Sequence, residues 1–325
     1  MRIVVTGAGG FIGRALCSRL AGQGHEILAL DNDFRGALSS ISEHENITTR
    51  RCDVLDAAEV TRAFAGADAV YHLAAINGTG NFYRIPEKVL EVGIIGTHNA
   101  LKATLAHDIG RFYLASSSEA YENPPVIPTP ETVRLSVSDV FNPRYSYSGS
   151  KIAGELMTIN YLRASGTHVA IFRPHNVYGP QMGFEHVIPQ LVKVTLDAIE
   201  ASGDTSTVTV PLQGSGEETR AFIFVADGVR AIESGTLHNP EGGLIHIGNQ
   251  VETRIADLAA LIGRSLGVDL TIQPSAMVQG SPSRRCPDTS RLRALGFAPE
   301  VSLEEGVGRT VRWYADHYRG VATPA

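Results

Sequence analysis

The chain has 325 residues, 43% of them apolar and 19% charged, enough for one large α/β domain or two smaller ones and unlike a structureless tail or a fibrous repeat. Its 28 basic and 34 acidic side chains leave a net charge of −6, so no cationic excess is present to hold nucleic acid or an anionic bilayer. Neither is expected as a partner. Cys17, Cys52 and Cys286 are odd in number, far apart and without Cys-x-x-Cys spacing, so no disulfide framework and no metal site is expected. The sequence turns glycine-rich within seven residues of Met1 and holds no apolar run of transmembrane length. A cytoplasmic chain that spans no membrane is the expectation.

Ile3 to Thr6 reads as a short β-branched strand running into Gly7-Ala8-Gly9-Gly10. The pattern Phe11, Ile12, Ala15, Leu16, Leu20 then predicts a helix that stops near Gly22 and Gly24. Further strands are predicted at Ile27–Leu30, ending on Asp31, at Ile47–Cys52, ending on Asp53, and at Val70–Leu73, with a helix around Ala57–Phe64 between the last two. Strand and helix alternating at this spacing predict right-handed βαβ units and a doubly wound parallel sheet, whose ligands sit at the strand carboxyl ends. Pro86–Leu105 reads as a long helix, Phe112–Ala115 as a strand, Tyr145–Ala164 as a second long helix and His168–Phe172 as a strand.

After Arg173 the texture changes. Pro174, Gly179, Pro180, Gly183 and Pro189 crowd together, and 203–216 reads as polar and turn-rich. A smaller, interleaved C-terminal substrate domain is placed there. The expected division is 1–173, together with about 222–247, for the dinucleotide-binding domain, and 174–221 with 248–325 for the substrate domain. Phe222–Ile232 and Leu244–Ile247 look like a helix and a strand that extend the sheet.

Gly7-Ala8-Gly9-Gly10-Phe11-Ile12-Gly13 follows a strand and opens a helix, the setting a phosphate-binding turn requires. Its Gly-x-x-Gly-x-x-Gly spacing allows positive φ and close packing of helix on strand, while the helix N-terminus supplies N–H donors. A purely structural turn is the plainer alternative. Asp31, 18 residues after Gly13, is placed to accept the adenosine ribose hydroxyls and repel a 2′-phosphate, favouring NAD over NADP. Asp53 is either near the adenine amino group or an ordinary turn residue. In Tyr147-Ser148-Gly149-Ser150-Lys151 the first and last residues share a helix face, so the ammonium can make the phenol more acidic. Ser116-Ser117-Ser118-Glu119 brings hydroxyls and a carboxylate to a strand end some thirty residues upstream.

Together with His72-Leu73-Ala74-Ala75, Gly96-Thr97, Arg173-Pro174-His175-Asn176-Val177-Tyr178-Gly179-Pro180, Gly214-Ser215-Gly216, Thr219-Arg220-Ala221-Phe222 and Arg285-Cys286-Pro287-Asp288, these motifs resemble the extended short-chain dehydrogenase/reductase superfamily, specifically its NAD-dependent nucleotide-sugar epimerases, dehydratases and decarboxylases. The resemblance covers nearly the whole chain. It implies a Rossmann sheet, NAD held by Gly7, Gly10, Phe11, Ile12, Gly13, Asp31, Asp53, Val54, Leu73, Ala74, Ala75, Tyr147, Lys151 and Pro174, and a nucleotide-sugar substrate. It makes Tyr147 the base, Lys151 its partner and Ser117, four residues before Tyr121, the hydrogen-bond donor to the reacting oxygen. Ser118, Glu119, Asn176, Arg220 and Arg285 are implied to hold the sugar nucleotide, the two guanidiniums at its diphosphate. A homodimer built on the two long helices is also implied. Two departures stand out: Gly93 replaces a common asparagine, and Glu122 a common glycine.

The implied chemistry is oxidation of a sugar hydroxyl to a ketosugar, followed by return of the hydride. Epimerisation of a nucleotide-activated hexose or heptose at C4 or C3 is the expected outcome. Decarboxylation of a UDP-glucuronate is the strongest rival, because relatives of that kind share Ser-Glu, Thr-Arg-Ala-Phe and Arg-x-Pro-Asp stretches. A 4,6-dehydratase is disfavoured by Ser118 in place of the usual aspartate, and a non-catalytic NAD-binding regulator by the intact Ser117, Tyr147 and Lys151. Glu185, in a segment that differs from the decarboxylase pattern, is expected near the sugar pocket, where another anion would serve a carboxylate-bearing substrate poorly.

Overall fold

A computed structural model describes residues 1–34, 38–41, 44–202, 206–276 and 282–318. Six strands, β1 (Arg2–Thr6), β2 (Glu26–Asp31), β3 (Ile47–Arg51), β4 (Ala69–His72), β5 (Arg111–Ala115) and β6 (His168–Pro174), join the strand Gly243–Ile247 in one parallel sheet. Its order is 3-2-1-4-5-6 with Gly243–Ile247 at the far edge beside β6. The chain runs outward from β1 to β3 and then returns to β4 on the other side of β1. A crevice therefore opens between the carboxyl ends of β1 and β4, where the connections diverge.

Both faces of the sheet are apolar because consecutive strand residues point to opposite sides. Val5, Tyr71 and Tyr113 pack with Leu16, Leu20 and Ile232 on one face, while Val4, Val70 and Phe112 pack with Phe64, Leu101 and Leu162 on the other. A third cluster, including Tyr178, Ile188, Leu191, Phe222, Leu258 and Tyr314, lies in the later part of the chain. It is built largely from the helices Val187–Ser202, Ile255–Leu266 and Leu303–His317.

Two sequence expectations need correction. The helix expected over Pro86–Leu105 is Pro86–Glu91, a π-helical stretch Val92–Gly96 and Thr97–Ala106. The wide turn occurs where two glycines let neighbours come close: a methyl on Gly93 would strike Ser150, and one on Gly96 would stand 2.7 Å from a Val54 methyl. The absent side chain at Gly93 is thus matched to the serine beside Lys151. The segment 203–216, read as polar turns, contains the strand Thr207–Gln213, whose residues alternate exposed and buried and pair in parallel with Asp269–Ser275. Residues 203–205 of that segment lie outside the described residues.

The strand expected from Leu244–Ile247 does extend the sheet, and the helix expected from Phe222 begins at Val225. Among the described residues no helix is long and apolar enough to cross a membrane, and no group of three or more His, Cys, Asp or Glu could hold a metal.

Candidate active site

A cleft of about 320 Å³ follows the carboxyl ends of the strands from β2 past β6. Gly7, Gly9, Gly10, Phe11, Ile12 and Gly13 line one part of it. Gly7 has φ +69°, and a Cβ there would stand 2.6 Å from the Ala74 nitrogen, so only glycine lets the β1 turn lie against the β4 turn. A methyl on Gly13 would strike the Gly7 carbonyl, so that glycine lets the helix Phe11–Gly22 pack down on the turn. This helix is entered through Gly10 with no side-chain cap. Its first amides are therefore left for an anion in the cleft.

Asp31 ends β2 beside this turn, with one carboxylate oxygen accepting the Gly9 amide at 2.9 Å and the other the Asp33 amide at 2.8 Å. Leu73, Ala74, Ala75, Val54 and Pro174 also line the cleft. Asp53 does not; its oxygens take the Leu55 amide at 3.0 Å and the Asn32 side chain at 3.3 Å, while Cys52 and Val54 on either side reach the wall. The turn-residue reading fits Asp53. Taken together, the uncapped helix end, the glycine cradle and the Asp31 carboxylate fit a dinucleotide.

The helix Tyr145–Leu162 brings Tyr147 and Lys151 to the cleft one turn apart. The Lys151 ammonium donates to the Ala115 carbonyl at the end of β5 at 2.7 Å and lies 5.5 Å from the centre of the Tyr147 ring. Burial pulls its pKa down to about 8, against the opposing pull of Glu155. Phe82 stacks on the Tyr147 ring, with centroids 5.0 Å apart and planes 12° from parallel. Sequence reading missed Phe82, because the six-residue helix Thr79–Arg84 that carries it has a glycine entry and no long periodicity.

Ser117, Ser118 and Glu119 line the same cleft. Ser117 is extended and its Oγ accepts the Glu119 amide at 3.2 Å, which leaves its hydroxyl proton to donate elsewhere. Glu119 receives Arg285 at 2.6 Å and has Arg144 at 3.8 Å. Burial favours protonation of Glu119, but Arg285, with Arg144 and Arg220 behind it, outweighs burial and holds the carboxyl below its ordinary value. Arg144 also escaped sequence reading, though it stands three residues before Tyr147.

Asn176 reaches the cleft from a left-handed backbone, φ +42°, with its amide nitrogen donating to the Ala221 carbonyl at 2.9 Å. Arg285 is on the wall, but Arg220 is not. The Arg220 guanidinium donates to the carbonyls of Thr219, Pro282 and Ser283 at 2.7 to 3.1 Å. Burial, with repulsion from Arg285, lowers its pKa to about 10. In this conformation the two arginines do not face the cleft together as expected.

Beneath the site runs a buried polar chain. Ser116 donates to Glu155, which takes Arg173 through both oxygens at 2.8 and 2.5 Å. Arg173 donates to the Tyr121 hydroxyl, which lies 2.7 Å from His246 Nε2. His246 Nδ1 is 3.0 Å from the Asp288 carbonyl, which can only accept. His246 therefore carries its proton on Nδ1, and Tyr121 donates to Nε2. Glu122, the second departure from the family pattern, sits at φ +53° and its carboxylate takes the Ser138 amide at 2.9 Å.

Residues 3–248 match the sequence profile of the NAD dependent epimerase/dehydratase family. The chain is 33% identical over 323 residues to UDP-glucuronic acid decarboxylase 1 of Xenopus tropicalis, covering 96% of this chain and 72% of that one. Its fold superposes with a TM-score of 0.85 and 28% identity on a dTDP-glucose 4,6-dehydratase double mutant from Streptomyces venezuelae with NAD bound, covering 98% of both chains. A UDP-glucose 4-epimerase from Thermotoga maritima with UDP-glucose superposes at 0.84 and 26% identity, over 98% of this chain and all of that one. These relatives carry three different reactions on one scaffold, and by sequence profile, by identity along its length and by fold the chain belongs to the NAD-dependent epimerase/dehydratase family.

Proposed function

We propose that the protein is a nucleotide-sugar epimerase, inverting C4 or C3 of an NDP-hexose or NDP-heptose through a transient ketosugar. The observation that carries the reading is the convergence of Tyr147, Lys151 and Ser117 at the carboxyl end of β5, beside the dinucleotide cradle. The glycine turn, Asp31 and Pro174 would hold NAD, which would supply the hydride acceptor and later the donor. Tyr147 takes the hydroxyl proton from the sugar, and the Lys151 ammonium stabilises the phenolate that precedes this transfer. Ser117 donates to the same sugar oxygen. Arg285 and Asn176 hold the sugar nucleotide, the guanidinium toward its diphosphate.

Glu119 either contacts the sugar or moves a proton at the carbon next to the ketone. Its arginine partners keep it ionised, suited to accepting a proton. Position 118 offers a buried hydroxyl and no acid for expelling water, which weighs against dehydration. Decarboxylation is the second reading, favoured by the 33% identity to a UDP-glucuronic acid decarboxylase. Against it, Glu185 lines the cleft, so a substrate carboxylate would meet like charge.

Incubation with a panel of sugar nucleotides in deuterium oxide is expected to give an epimer of unchanged elemental composition. Carbon-bound deuterium would mark proton exchange beside the ketone and its absence a simple flip. A product lighter by water or carbon dioxide overturns the epimerase reading. Tyr147→Phe is expected to lower turnover by at least about a thousandfold while NAD stays bound, read by kinetics and by the cofactor content of the purified protein. Retained turnover would remove Tyr147 as the base.

Lys151 gives a second handle. Between pH 8 and about 10.5 the unfolded chain holds this proton and the folded apoprotein does not, so the lysine's contribution to stability rises with pH across that window. Denaturant titrations of wild type against Lys151→Met should show a stability difference that shifts toward wild type by up to about 3 kcal/mol from pH 8 to 10.5. A flat difference would mean that the ammonium is not desolvated.

We further propose a homodimer. Leu90 and Ile95 on the Pro86–Ala106 segment and Leu156, Ile159 and Tyr161 on the tyrosine helix are exposed apolar groups, and the two segments pack against each other. Light scattering is expected to report twice the chain mass, and Leu156→Glu with Ile159→Glu a single chain; a wild-type monomer contradicts it.

A further inference from the structure

Apart from Glu119 and Asp31, Glu185 is the one acidic side chain on the cleft wall, and no step of the proposed reaction uses it. It is half-buried, and among the described residues no hydrogen bond or ion pair engages it. Two glycines make its room. A methyl on Gly78 would land on the Glu185 carboxylate, and one on Gly80 would stand 3.4 Å from it. Gly78 is held at φ +117° by the Asn77 side chain, which accepts the Gly78 amide at 2.8 Å. A backbone set this way, and stripped of side chains facing one carboxylate, keeps that carboxylate in the cleft.

The same short helix fixes where in the cleft it lies. Gly78 caps Thr79–Arg84, and Phe82, four residues on, stacks against Tyr147. Glu185 beside the start of this helix and Tyr147 against its Phe82 thus line one cleft.

We infer that Glu185 sets substrate class, accepting hydrogen bonds from a hydroxyl-rich or amino-bearing sugar and excluding one that carries a carboxylate. The inference rests on the cleft being the sugar site and not on which carbon reacts. Two unit charges 5 to 6 Å apart at an effective dielectric near 20 repel by about 3 kcal/mol, and water in an open cleft lowers this. A gap of at least about fivefold in affinity between neutral and acidic sugars should survive.

Glu185 also stands two residues before the helix Val187–Ser202, whose N-terminus favours an anion. A role confined to that helix would change melting temperature and weaken both kinds of ligand equally. UDP-glucose and UDP-glucuronate differ only at C6, so the ratio of their dissociation constants cancels nucleotide and NAD contributions. Calorimetric titration of the NAD-saturated protein with this pair, and with the dTDP pair, should show the uronate at least fivefold weaker. Glu185→Gln should shrink that gap at least threefold, and so should raising salt to about 1 M in wild type, which needs no variant. A smaller wild-type gap, a gap untouched by both glutamine and salt, or no binding of either pair overturns the inference. Because binding alone is read, it can fail while epimerisation stands, or hold while the product proves different.

Discussion

An ammonium buried in a protein interior costs several kcal/mol unless something charged or polar meets it, and Lys151 is 6% exposed. What meets it is the Ala115 carbonyl at the end of β5. A parallel strand that stops at the sheet rim leaves its last carbonyls without a ladder partner, so strand end and lysine satisfy each other. Tyr147, Lys151 and Glu155 lie at successive fourth positions of one helix, all buried, so one face of Tyr145–Leu162 carries the phenol, the cation and the anion in a row. The helix cannot rotate or slide without leaving a charge unpaired in the interior. That constraint holds the phenol at the strand end.

Glu155 extends the same constraint sideways. Through Arg173 on β6, Tyr121 at the end of the 117–121 turn and His246 on the edge strand, it ties together the elements that present Pro174, Ser117 and Asn176 to the cleft. His246 is kept neutral chiefly by burial, which brings its pKa to about 4, and His175, edge-on to it with ring centroids 4.7 Å apart, is lowered as well. Neutral rings are what the chain needs next to Arg173: a second buried cation would break the run of donors ending at the Asp288 carbonyl. The four-residue interval between Ser117 and Tyr121 also acquires a physical meaning. It puts one hydroxyl in the cleft and the other in the network beneath it.

The sheet and the dinucleotide end of the cleft were legible in the sequence because their signals are local. The glycine turn, Asp31 and the Tyr147–Lys151 pair depend on backbone geometry and helix periodicity within a few residues. The π-helical stretch was not legible, since it arises from Ser150 and Val54 pressing against Gly93 and Gly96 from distant parts of the chain. The strand Thr207–Gln213 was missed although Thr207-Val208-Thr209-Val210 alternates with a strand's period, because it lies inside a stretch that reads as polar and turn-rich; it pairs with Asp269–Ser275. At the site, Arg220 illustrates the limit. A residue type suited to phosphate was read as a ligand, yet three backbone carbonyls occupy its guanidinium. Phe82 and Arg144 were missed for the opposite reason, having ordinary neighbours in sequence and decisive ones in space.

On the proposed function, what would set this chain apart from relatives with other reactions is how charge is distributed around the sugar. After oxidation, the ketosugar's fate depends on whether a leaving group is protonated, a carbon acid is ionised or a carboxylate is expelled, and each needs a different neighbour. Protonating a departing hydroxyl calls for an acid, and the candidate position holds Ser118. Expelling a carboxylate calls for a site that first admits one, against Glu185 on the wall. Ionising a carbon calls for a base that stays unprotonated, and Glu119 beside Arg285 and Arg144 is such a group. The pairing carries its own tension, because Arg285 is also the guanidinium on the wall best suited to a diphosphate. A diphosphate that drew Arg285 away would leave Glu119 with Arg144 alone and make it a stronger base at the moment the sugar is in place.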